Sequence, residues 1–176
     1  MAKLNWQWLS LSQTCQRLKS GQASAMQLTK EMLERAQTLD DQTRCYASFL
    51  ADEALAAALA LDQKQAAGEP LGLLHGVPIG IKDLLYTQGV PTASGTLVMK
   101  DFRPPYSATV VDRLRNAGAV LLGKTQLTEG AFVAHHPEVA PPLNPWERQA
   151  WTGVSSSGSG VAVAAGVAFA AIGSDT

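Results

Sequence analysis

A lysine stands inside an apolar run at residues 76–83, Gly-Val-Pro-Ile-Gly-Ile-Lys-Asp. Val77, Ile79 and Ile81 alternate with Pro78, Gly80 and Lys82, the period of two that a strand imposes on its two faces. Such a strand belongs in an interior, and an interior penalises an unpartnered charge. Two arrangements answer this. Lys82 ends the strand and snorkels to water, paired with Asp83. Alternatively it is desolvated, loses preference for its charged form and serves as a base. The pattern alone leans to the first and leaves the second open.

The other unusual segment is Thr152-Gly153-Val154-Ser155-Ser156-Ser157-Gly158-Ser159-Gly160. It reads as a Gly/Ser loop opening an apolar, Ala-rich helix that leads to a strand ending at Ile172. Backbone N–H groups at a helix start favour negative charge, and glycine admits close approach of a ligand. A flexible linker is one reading, but the dense apolar run that follows opposes it. A phosphate cradle is another, but G-x-x-x-x-G-K-[ST] is absent, and Val163 stands where a dinucleotide fingerprint wants Gly or Ala. A catalytic serine loop is the third. A serine hydroxyl needs a base to take its proton, and Lys82 is available.

Around these segments the chain reads as α/β. Leu11, Cys15 and Leu18 mark a helix stopped by Gly21. Ser24 and Gln27 have the spacing of a capping box for a second helix. A strand is expected at 46–50 and a third helix at 51–67, ended by Gly68 and Pro70. Ser107 is placed to cap a helix carrying Val110, Val111 and Leu114. Gly118 ends that helix before a short buried strand at 119–122, an order typical of an α/β layer. Residues 137–145 are Pro-rich and read as loop.

Composition excludes several function classes. The 176 residues are 46% hydrophobic and 16% charged, with net charge −1. That is enough apolar matter for a core and gives no basic signature for nucleic acid. The longest low-polarity run, 160–173, has 14 residues, fewer than the ~20 of a membrane span. No leader is visible at the N-terminus. A cytoplasmic location is therefore expected. Cys15 and Cys45 are too few for a disulfide framework and read as reduced core thiols.

Residues 76–83, 153–160 and Gly173-Ser174-Asp175-Thr176 together resemble the amidase signature family of Ser–Ser–Lys amide hydrolases. Thr92-Ala93-Ser94-Gly95, Ala108-Thr109-Val110-Val111 and the 123–129 segment also look like that family's N-terminal half. A G-x-S-S-x-G-S stretch alone would be weak. The separation of 73 residues between Lys82 and Ser155 makes the pair of motifs specific.

The resemblance implies a mixed sheet flanked by helices on both faces, of which this chain is the N-terminal portion. It implies an incomplete amidase domain over 1–176, with a helical region at 1–69 and the start of the α/β catalytic core at 70–176. Lys82 matches the catalytic lysine. Ser155 matches the bridging serine, with a cis peptide expected between Val154 and Ser155. Ser156 matches the serine that orients the lysine, and Asp175 an acidic residue supporting the nucleophile loop. Val154 and Ser157 depart from the family, which commonly has Gly at both positions. The nucleophile of the family is a serine about 24 residues beyond the bridging serine, so it falls past Thr176.

The function so implied is hydrolysis of a carboxylic amide C–N bond through an acyl-enzyme, on a small-molecule amide, with the chain inactive by itself. Two alternatives stand beside it: the glutaminase A subunit of a tRNA-dependent amidotransferase, and a non-catalytic fragment. No cofactor or metal, no direct nucleic acid and no membrane partner are implied. A homodimer stays open, and partner subunits enter only with the amidotransferase alternative. Adjacent His135 and His136 point apart in an extended loop and lack a further ligand, so a metal is disfavoured. His75 reads as structural. Trp146 and Trp151 are expected to pack beneath the Ser-rich loop.

Overall fold

The computed structural model describes Trp6 and residues 9–175. Helix α1 spans Leu11–Lys19, α2 Ala25–Thr38, and the single turn α3 Asp40–Thr43. Strand β1 (Tyr46–Phe49) and helix α4 (Ala51–Ala66) follow, then β2 (Pro78–Lys82), α5 (Thr109–Asn116), β3 (Val120–Thr125), α6 (Ser157–Ala164) and β4 (Ala170–Ile172).

The four strands form one mixed sheet in the order β1-β3-β2-β4. β2 runs parallel to both β3 and β4, while β1 is antiparallel to β3. Every residue of β2 and β3 is buried, so both faces of the sheet centre are covered. This is what an apolar strand without a polar face requires. The core joins Leu28, Met32 and Leu33 of α2, Ala54 and Ala58 of α4, Ile79 and Ile81 of β2, Val120 and Leu122 of β3, and Val161 and Ala162 of α6. No helix among the described residues is long and apolar enough to cross a membrane.

Capping departs from the expected spacing in an instructive way. The complete capping box belongs to α1, where Ser10 and Gln13 bond reciprocally. At α2, Gln27 N donates to Ser24 Oγ, but the Gln27 amide turns away to donate to Glu31. The free N–H groups of Ala25 and Met26 donate instead to the two carboxylate oxygens of Asp62, at 2.7 and 3.0 Å. A carboxylate from α4 thus caps α2, where the helix dipole favours negative charge, and ties the two helices together. Ser107 does not cap α5. Its hydroxyl accepts from Gln88 N and Arg115 instead.

The Ser-rich segment differs most from expectation. Helix α6 begins at Ser157, inside the stretch read as loop. A Cβ on Gly158 would stand 2.5 Å from the Cys45 carbonyl oxygen and from Gln126 N. The missing side chain lets the first turn of α6 press against the backbone at the ends of β1 and β3. The tryptophans are not under the loop: Trp146 and Trp151 are 79% and 66% exposed. Trp146 lines an open cavity together with Leu39, Ala164 and Ala165. Cys15 is half-buried and Cys45 buried, both as free thiols.

Candidate active site

Lys82 is the last residue of β2, and its side chain is fully buried. It neither snorkels nor pairs with Asp83. Its ammonium donates to three hydroxyls: Ser155 Oγ at 2.6 Å, Ser174 Oγ at 2.8 Å and Ser156 Oγ at 3.0 Å. An ammonium has three N–H groups, so this set satisfies all of them without a counter-charge. Burial lowers the Lys82 pKa from the ordinary 10.5, and its bonded partners are all neutral. A lysine so placed gives up its proton more readily than one in water.

Three segments deliver these groups. Lys82 comes from the end of β2, while Ser155 and Ser156 lie just before α6, and the Val154–Ser155 peptide is cis, as the resemblance implies. Ser174 lies just past β4. Ser156 stitches the two serine segments together: its hydroxyl donates to the Ser174 carbonyl and accepts from Ser174 N at 3.1 Å. The Ser155 carbonyl accepts from Thr128 N at 3.2 Å. Deeper in, Ser159 Oγ shares a hydrogen bond with Thr125 Oγ1 at 2.7 Å and donates to the Ile172 carbonyl. One serine of α6 therefore locks β3 to β4, and the site rests on that junction.

A cavity of about 240 Å³ opens beside Ser155 and Ser174, with Asp175 on its wall and Ala131, Phe132, Val133 and Val154 around it. Asp175, expected to support a nucleophile loop, thus lines the same cavity as Ser155 and Ser174. Ser174 is the site residue that the motif reading passed over, although it sits inside the Gly-Ser-Asp-Thr motif itself. His135 Nε2 lies 3.3 Å from Ser157 Oγ, and burial lowers its pKa. His75 is remote from these hydroxyls and bonds to Gln65 of α4.

An amidase family profile matches residues 27–176. The chain belongs to the amidase family. AmiD of Mycobacterium tuberculosis, a putative amidase by name, is 51% identical over 168 residues, which are 96% of this chain and 35% of that protein. The A subunit of the glutamyl-tRNA(Gln) amidotransferase of Cyanothece sp. is 44% identical over 169 residues, 95% of this chain and 35% of the relative. The native peptide amidase from Stenotrophomonas maltophilia superposes with a TM-score of 0.84 at 32% identity, over 93% of this chain and 35% of its own. This amidase chain spans about a third of the length of the curated relatives it matches.

Proposed function

We propose that the protein carrying this chain hydrolyses a carboxylic amide through a Ser–cis-Ser–Lys triad. The observation that carries the reading is the buried Lys82 ammonium held 2.6 Å from Ser155 Oγ, on a cis peptide. In this reading neutral Lys82 takes a proton through Ser155 from a nucleophilic serine that the family places beyond Thr176. That serine adds to the amide carbonyl, and the relay returns the proton to the leaving amine. An acyl-serine remains; water then adds to it, and the acid departs as the serine regains its proton. Ser156 orients Lys82, and Asp175 supports the nucleophile segment. The substrate is a small-molecule amide, and no metal or organic cofactor takes part. Residues 1–176 form an incomplete catalytic domain in this reading, and by themselves have no turnover.

The second reading is the A subunit of a tRNA-dependent amidotransferase, favoured by the 44% identity to one from Cyanothece sp.. The same triad would then free ammonia from glutamine for partner subunits. The higher identity to AmiD favours the first reading. Assay of the full-length protein separates them. Hydrolysis of simple amides without glutamine or partners, lost in Lys82→Ala, supports the amidase. Glutaminase activity that appears only with partner subunits supports the alternative. Product release by residues 1–176 alone, abolished by Lys82→Ala, would refute the assignment of the nucleophile to a later segment.

A further inference from the structure

A second lysine is buried as completely as Lys82, and the proposed chemistry does not use it. Lys124 lies in β3, beside Ile81 in the parallel register, while Lys82 pairs with Thr125. Side chains alternate along a strand, so Lys124 projects from the face opposite Lys82. Asp83 follows Lys82 and projects to the Lys124 side. Lys124 Nζ lies 3.3 Å from Asp83 Oδ1 and donates to the Leu85 carbonyl at 2.9 Å and to Thr92 Oγ1 at 2.8 Å. Lys124, Asp83 and Thr92 are 0%, 2% and 0% exposed.

The clasp reaches both halves of the candidate site. Asp83 N donates to the Thr125 carbonyl, which holds the end of β2 directly after Lys82. Asp83 Oδ2 accepts from Ala93 N at 3.0 Å, and the Asp83 carbonyl accepts from Ser94 N. The Ser94 carbonyl accepts from Gly130 N, and two residues earlier Thr128 N donates to the Ser155 carbonyl. An unbroken series of hydrogen bonds and short chain segments therefore runs from Lys124 and Asp83 to the backbones of Lys82 and Ser155. Burial presses both charges toward their neutral forms, and their mutual attraction opposes that.

We propose that Asp83 and Lys124 are a positioning pair that sets Lys82 Nζ against Ser155 from the far face of the sheet. The inference rests on the Lys82–Ser155 reading above. Its test uses the full-length protein, with amide hydrolysis that is lost in Lys82→Ala as the precondition. Absence of that precondition counts against the function, whereas the variants below address only the pair. Lys124→Met leaves Asp83 as an unpaired buried anion, which favours the charged form of Lys82. Asp83→Asn leaves an unpaired cation, which disfavours it. Other titratable groups near this end of the sheet include Asp175 after β4, Cys45 and Tyr46 at the start of β1, Tyr86 after β2, and Glu129 and His135 after β3, and all are retained in both variants. The acid limb of kcat/KM is expected to move to higher pH in Lys124→Met and to lower pH in Asp83→Asn. In both, kcat should fall about tenfold or more at nearly constant KM, the signature of a lost positioning contact.

Either single change risks the fold, because it strands a buried charge. Thr92→Val avoids this, since it removes one acceptor and leaves both charges paired. It is expected to fold with a cooperative melt and to lower kcat several-fold at unchanged KM. Parental kcat in folded Thr92→Val, or acid limbs that stay in place or move in the same direction in the two charge variants, would overturn the proposal.

Discussion

Lys82 Nζ and Ser155 Oγ stand 2.6 Å apart although 73 residues separate them in the chain. The strand that ends at Lys82 and the cis peptide that precedes Ser155 converge on one point, which also collects the hydroxyls of Ser156 and Ser174. The arrangement keeps an ammonium inside the protein on neutral partners alone. A group held that way is ready to lose a proton.

The first expectation concerns Ser155. In Ser155→Ala, Lys82 retains two of its three acceptors, so the fold should persist, with a stability change of about 1 kcal/mol. Proton transfer through the bridge is lost, and kcat/KM of the full-length protein should fall about 10²- to 10⁴-fold. Steady-state amide hydrolysis and a urea melt of the same variant check both halves. Unchanged kcat/KM would remove Ser155 from the relay.

The pH dependence follows from the direction of the Lys82 shift. Its folded pKa lies below 10.5 because burial disfavours the charged form. Activity that needs neutral Lys82 rises with pH through that folded value, so the acid limb of kcat/KM should lie below 10.5. The linkage to stability has a definite sign. Between the folded pKa and the ordinary lysine value the unfolded chain holds more protons, so stability rises with pH across that window. Below the folded pKa the cost of the buried ammonium is present in full. A pH–rate profile and urea midpoints over the same range, with Lys82→Met as the control that abolishes both effects, test this.

Ser174 is expected to matter less than Ser155. Its hydroxyl accepts from Lys82 at 2.8 Å, but its backbone N–H and carbonyl, not its side chain, bind Ser156. Ser174→Ala therefore removes one acceptor and leaves the stitch between the segments in place. The kcat of the full-length protein should drop about tenfold or less at constant KM, as for one of three acceptors around Lys82. A loss as large as that of Ser155→Ala would instead place Ser174 in the proton path.

Much of this was legible from local pattern. Val77, Ile79 and Ile81 recur at the period of two by which a strand sends alternate side chains to opposite faces, and the Ala-rich 51–67 stretch has nothing to oppose a helix. The convergence of Lys82 with Ser155 and Ser156 was one open reading of the residues and became specific only through the resemblance, since the two motifs lie on different elements. The Lys124–Asp83 clasp depends on the register of β2 against β3, which neither strand encodes alone. The start of α6 was hidden for another reason. Ser and Gly are weak helix formers, so Ser157–Gly160 resembles loop until tertiary packing is considered. Trp146 and Trp151 were misplaced because apolar character argues for burial in general but supplies no partner at a given site.

That packing gives the last expectation, which needs no assay of activity. A methyl on Gly158 would meet the Cys45 carbonyl oxygen and Gln126 N at 2.5 Å and the Gln126 carbonyl oxygen at 2.6 Å. All three are backbone atoms and cannot swing aside. In Gly158→Ala the first turn of α6 must retreat from the sheet, which strains the Ser159 junction with Thr125 and Ile172. Overpacking against backbone of this kind costs about 1–3 kcal/mol or more. Gly160, in the same turn, has no atom within 4 Å of an added Cβ. Gly160→Ala should therefore stabilise by about 0.5–1 kcal/mol, the ordinary gain in helix propensity. Urea melts of the two variants should shift in opposite directions. Equal shifts would mean that Gly158 is present for flexibility and not for the close approach of α6 to the sheet.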